Sequence, residues 1–128
     1  MNLAIAGRTA LVCASTSGLG HAVAQALAAE GTHTILSGRR GALATAAASR
    51  LPDAIGVQAD LREQRARATL VERALERRGV VDILVLNTGG PPPGDAAEVT
   101  MDALSRAISA QVLELNHLVQ LVLPGMRA

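Results

Sequence analysis

Six consecutive residues, Ser15-Thr16-Ser17-Gly18-Leu19-Gly20, carry the clearest chemistry in this sequence. They follow a strand-length apolar run, Thr9 to Ala14, and lead into a stretch where Leu19, Val23, Ala26 and Leu27 recur at helical spacing. Gly31 stands where a helix C-cap belongs. A helix N-terminus offers unpaired N–H groups and the positive end of the macrodipole, and Gly18 and Gly20 let backbone approach closely, so this turn suits a phosphate-bearing anion such as a pyrophosphate. The plainer alternative is a connection that only packs a helix close to a strand.

A second chemical signal is Gly38-Arg39-Arg40, at the end of a second apolar run, His33 to Ser37. In dinucleotide sites an acid about 20 positions beyond the glycines takes the ribose hydroxyls, whereas arginine suits a 2′-phosphate. Gly38 occupies the acid's place and the arginines follow it, although two adjacent arginines taken alone read most simply as a solvated pair. Asp60-Leu61 closes a third run, Ile55 to Leu61, and Asp60 is equally a candidate N-cap for the helix after it. Asn87-Thr88-Gly89 follows the most hydrophobic run, Val80 to Asn87, whose branched residues suit a strand buried on both faces.

The elements that must position these residues alternate. Helical stretches are expected after Gly18, over Ala42–Leu51 (ended by Pro52-Asp53), over Arg62–Arg78 and over Thr100–Met126. In Arg62–Arg78 the buried stripe is Leu70, Val71, Ala74 and Leu75, and six arginines form a solvated face. The last helix shows Leu104, Ile108, Val112, Leu115, Val119 and Val122 at three- and four-residue steps, closed by Pro124-Gly125. Strands and helices in this order argue for an α/β doubly wound fold with a parallel sheet in strand order 3-2-1-4.

Composition narrows the function. The 128 residues are one domain's worth, and a net charge of +1 gives no electrostatic case for nucleic acid or an acidic membrane surface. No apolar run approaches the roughly 18 residues a membrane span needs, and the N-terminus lacks a basic start with a long apolar stretch, so the expected setting is the cytoplasm. Cys13 is alone inside the first strand, which leaves no disulfide framework and no thiol metal cluster. There is no Phe, Trp or Tyr, and all 12 basic residues are Arg. The core must therefore be built from Leu, Val, Ile and Ala, and the acid/base side chains Tyr and Lys are missing from this polypeptide.

Val12-Cys13-Ala14-Ser15-Thr16-Ser17-Gly18-Leu19-Gly20 resembles the Thr-Gly-x-x-x-Gly-x-Gly turn of the short-chain dehydrogenase/reductase family, with Cys13 and Ala14 in place of the Thr and the first Gly. The Ala-Ser variant is similar to that of 3-oxoacyl-carrier-protein-reductase-like members. Asp60-Leu61 resembles the pair that brackets the adenine ring, and Asn87-Thr88-Gly89 the Asn-Asn-Ala-Gly motif, matching at Asn87 and Gly89. The closing Leu123-Pro124-Gly125-Met126 sits at the family's spacing and puts Gln111 in the place of the catalytic-site Asn, an amide on a longer stem.

The resemblance implies one NAD(P)-binding Rossmann-type domain over residues 1–128, incomplete relative to the family because the sequence ends before strand five. Its implied cofactor contacts are Ala14, Ser15, Ser17, Gly18, Leu19, Gly20, Arg39, Arg40, Asp60, Leu61, Asn87, Thr88 and Gly89, with NADP(H) preferred over NAD(H). The family's Ser, Tyr and Lys lie beyond Ala128, so a small-molecule substrate is expected only if a further C-terminal half is supplied. The helix over 100–126 is implied as an interface for a homodimer or higher oligomer. Two other readings stand beside this one: a non-catalytic nucleotide-binding or assembly module that pairs with another chain, and, more weakly, a binder of adenosylmethionine. The second lacks the acid wanted at Gly38.

Overall fold

The computed structural model describes residues Met1–Ala128. Four strands, β1 (Thr9–Val12), β2 (His33–Gly38), β3 (Ala54–Gln58) and β4 (Ile83–Val85), form one parallel sheet in the order β3-β2-β1-β4. This is the expected order. Helices α1 (Gly18–Ala29), α2 (Gly41–Ser49) and α3 (Gln64–Leu75) connect the strands, and α4 (Met101–Ile108) and α5 (Glu114–Arg127) come after β4.

Alternation along the strands divides the core into two. Leu11 and Ile35, paired across β1 and β2, pack with Leu70, Val71 and Ala74 of α3 and Leu118 and Val122 of α5. Their neighbours Val12 and Leu36 project to the opposite face and meet Ala24 of α1 and Ala47 and Ala48 of α2. The result is a three-layer α/β/α arrangement. Each fully buried Leu or Ile contributes roughly 1.5–3 kcal/mol, but with only 27 of 128 residues buried and none of them aromatic, the core is a modest one.

Two elements differ from expectation. The apolar run Val80 to Asn87 yields a ladder of only three residues at the sheet edge, and Ile83, Leu84 and Val85 are half-buried rather than covered on both faces. The edge position follows from the expected order 3-2-1-4; what differs is the burial, since the branched run suits a strand covered on both faces. The second difference is a π turn, Ser109–Leu113, in the helix expected to be continuous from Thr100. Its extra residue rotates α5 by roughly 100° against α4. Leu118 and Val122 consequently face the sheet, while Leu104, Ile108 and Val112 lie 44, 48 and 55% exposed. Pro124 does not close the helix, which continues to Arg127; so near its end, the missing N–H removes only one late hydrogen bond.

Candidate functional site

The turn between β1 and α1 is built on two residues with positive φ. Ala14 lies at φ 47° and Gly18 at φ 61°. The first strains an L-residue, so alanine in place of the usual glycine carries a cost of about 1 kcal/mol. Ser17 is the N-cap of α1 but makes no side-chain cap bond, and the backbone N–H groups of Gly18, Leu19 and Gly20 have no backbone acceptor within the chain. The first turn carries no acidic residue. Three free donors at a positive dipole end are an anion-binding arrangement. Gly20 is required by close approach: a Cβ there would collide with the Ala14 carbonyl oxygen and come within 2.8 Å of the Asn87 side-chain amide.

Above this turn, at the C-terminal ends of the strands, lies a cavity of about 630 Å³. Ala14, Ser17 and Leu19 line it from the turn, Arg39 and Arg40 from the end of β2, Asp60 and Leu61 from the segment after β3, and Asn87, Thr88 and Gly89 from the loop after β4. Ten of the sequence-derived candidates are thus gathered in one place although the sequence separates them by up to 75 positions. Ser15 is placed differently. It is fully buried, donating its hydroxyl to the Val12 carbonyl at 2.7 Å and accepting from the Ser37 amide at 3.0 Å, so it stitches the ends of β1 and β2 together behind the cavity wall.

Asp60 is not the N-cap of α3; that position is Glu63. The Asp60 carboxylate instead receives the Arg62 backbone N–H at 3.1 Å and the Arg62 guanidinium, with Nη2 at 2.6 Å from Oδ2 and Nε at 3.0 Å from Oδ1. The Arg62 contact, helped by the charge of Arg39, lowers the Asp60 carboxyl to about 2 against burial that would raise it. Leu61 is fixed through its carbonyl, which accepts from the buried guanidinium of Arg67; Arg67 Nε in turn donates to His117 Nδ1 at 2.9 Å. His117 therefore has a structural task, holding α3 and the Leu61 segment against α5.

On the other wall, the Asn87 side-chain amide donates to the Ala14 carbonyl at 3.1 Å. Gln111 lies in the π turn and donates its amide to the Gly89 carbonyl at 2.9 Å, bracing the loop after β4 while its own side chain stays outside the cavity lining. Cys13 is fully buried, and burial pushes its thiol up to about 12, partly offset by a hydrogen bond from the Asn87 backbone. It is a core residue and no nucleophile. Sequence reasoning missed Thr16, Ser37, Arg62, Gly90 and Glu114, all on the cavity wall. Thr16 could have been found from its place between the chosen serines, and Arg62 from its spacing two residues beyond Asp60.

The family model for short chain dehydrogenase matches residues 8–128. A ketoacyl reductase of the granaticin polyketide synthase of Streptomyces violaceoruber is 39% identical over 110 residues, covering 81% of this chain and 43% of its own length. Dehydrogenase/reductase SDR family member 4 of Rattus norvegicus is 33% identical over 128 residues, covering 95% of this chain and 46% of its own. Among solved structures, L-sorbose reductase from Gluconobacter frateurii, complexed with NADPH and L-sorbose, superposes with a TM-score of 0.92 at 28% identity, covering 99% of this chain and 50% of that one. The chain spans about half the length of the curated relatives it matches. With its strand order, its glycine turn and its match from Arg8 to Ala128, the chain belongs to the short-chain dehydrogenase/reductase family.

Proposed function

We propose that residues 1–128 form the NAD(P)-binding domain of an oxidoreductase that moves hydride between a nicotinamide cofactor and a carbonyl or hydroxyl substrate, with NADP(H) preferred. The observation that carries this reading is one cavity wall that includes Arg39 and Arg40, Ser17 and Leu19 at the α1 N-terminus with its open amides, and Asn87–Gly89. In this reading the 2′-phosphate lies at the arginines, the pyrophosphate at the helix N-terminus and the nicotinamide ribose near Asn87. Gln111, at the position of the family's active-site amide, is outside the cavity and acts by bracing the loop that carries Gly89. A bound dinucleotide would supply the hydride, and the work of these residues is to bind and orient it.

This polypeptide has no Tyr or Lys to donate or steady a proton. Residues 1–128 bind and orient the cofactor, and the proton-transferring groups of the reaction are not among them. The exposed helix face of Leu104, Ile108 and Val112 gives the assembly alternative its support, as a surface for a second copy. No helix is long and apolar enough to cross a membrane, and a cytoplasmic setting fits the lone free thiol.

Isothermal titration with NADPH and NADH tests the preference. Charge-assisted bonds from Arg39 should favour NADPH by about tenfold to a hundredfold, and Arg39→Ala with Arg40→Ala should remove that margin. Arginine removal is a cleaner test than an acid at position 38, because a Cβ on Gly38 would come within 2.6 Å of the Thr16 methyl. Equal affinities in the parent chain, unchanged in the double variant, would contradict the proposal.

A further inference from the structure

We infer that the Asp60–Arg62 pair makes the base subsite of this cavity tolerant at the purine 6-position, so that it accepts a 6-oxo purine about as well as a 6-amino one. The inference rests on the reading that the cavity takes a purine dinucleotide with its base beside Asp60 and Leu61. A free carboxylate at Asp60 would select the 6-amino group, since an ionised carboxylate only accepts hydrogen bonds and would repel a 6-oxo oxygen.

Asp60 is not free. Its Oδ1 receives the Arg62 backbone N–H at 3.1 Å and Nε at 3.0 Å, and its Oδ2 receives Nε at 3.2 Å and Nη2 at 2.6 Å. Two carboxylate oxygens offer about four acceptor sites, and three N–H donors engage them, the single Nε–H being shared between both oxygens, so about one acceptor site is left for a ligand. Both residues line the cavity, and the Arg62 side chain remains 67% exposed. Its Nη1 has no partner in the chain, so beside the one acceptor site left on Asp60 the pair holds a free donor. A 6-oxo group can accept from it. A 6-amino purine can offer its ring nitrogens instead, so neither base is excluded. Charge supports the same conclusion: Arg39 and Arg40 flank the pair, and Glu114 is the only other acid on the wall.

The test compares NADPH with its reduced hypoxanthine analogue, in which oxygen replaces the 6-amino group, by titration against the parent chain, Arg62→Ala and Arg62→Met. With no aromatic residue in the chain, the nicotinamide fluorescence of both ligands can be followed without protein background. The parent chain should bind the two within about threefold of each other, while both variants, with Oδ2 released to accept from the amino group, should favour NADPH by about tenfold or more. Arg62→Met keeps much of the stem, so agreement between the variants assigns the effect to the guanidinium donors and not to lost packing. A ratio is insensitive to any general loss of stability. A parent chain that already prefers NADPH by tenfold, or variants whose ratio matches the parent's, would overturn the inference while leaving cofactor binding intact. Failure of both dinucleotides to bind would overturn it together with the reading on which it rests.

Discussion

The Asn87 side-chain amide donates to the carbonyl of Ala14 at 3.1 Å, joining two loops 73 positions apart in sequence. The bond fixes the one strained residue of the turn between β1 and α1, Ala14 at φ 47°, and it does so through the first residue of the Asn87-Thr88-Gly89 loop. The floor of the cavity is thereby a single braced unit, with Gly20 packed beneath it.

Ala14→Gly should therefore stabilise the chain by about 0.5–1 kcal/mol, the relief of left-handed strain being partly offset by a more flexible unfolded state. Gly20→Ala should do the opposite, costing about 1–3 kcal/mol, because its methyl group meets backbone and not a yielding side chain. Urea unfolding monitored by far-UV circular dichroism measures both. A less stable Ala14→Gly would show that the turn does not hold the positive φ.

Acid should unfold the chain through three carboxylates. Arg77 foremost, with His33, holds Asp53 below its ordinary range, and Arg62 holds Asp60 at about 2. At Asp82, burial alone would raise the carboxyl, but the Thr9 amide and the Arg8 and Arg78 guanidiniums outweigh it. Each is depressed in the folded state, so its stabilisation is complete above the unfolded value of 3.8 and is lost as pH falls through its own lowered folded value, which for Asp60 is about 2. The urea midpoint should fall across that window. In Asp82→Asn the fall should be shallower and the midpoint lower at neutral pH; an unchanged slope would remove Asp82 from the account.

The exposed side chains of Leu104, Ile108 and Val112 should drive self-association. Leu104 and Ile108 lie on α4 and Val112 within the π turn itself, at successive turns, and all three are exposed. Light scattering should report a dimer or larger species, and Ile108→Glu with Val112→Glu should return it to a monomer with little change in unfolding midpoint. A parent chain that scatters as a monomer would contradict this.

Much of the architecture was legible because it is carried by local pattern. Apolar runs of strand length, glycine turns and helical spacing gave the four strands, their order and ten residues of one cavity wall. The parts that were not legible depend on distant partners. The β4 run reads as a central strand from composition, yet its burial depends on what lies beside it. The π turn at Ser109–Leu113 has no mark in hydrophobic spacing, since one inserted residue shifts a face without breaking the periodicity. Ser15 looked like a ligand contact because it lies in the motif; only the arrival of Ser37 across the sheet shows that its hydroxyl is already engaged. Asp60 was read with two alternatives, and Arg62, two residues on, supplied a third use for its carboxylate.

Whether one dinucleotide spans from Arg39 to Asn87 across the α1 N-terminus can be read from amide chemical-shift mapping of the labelled chain on titration with NADPH. Shifts should concentrate at Gly18 to Gly20, Arg39 and Arg40, Asp60 to Arg62, and Asn87 to Gly90, saturating together with one affinity. Shifts confined to another surface, such as the α4 face, or no shifts at all, would contradict that placement.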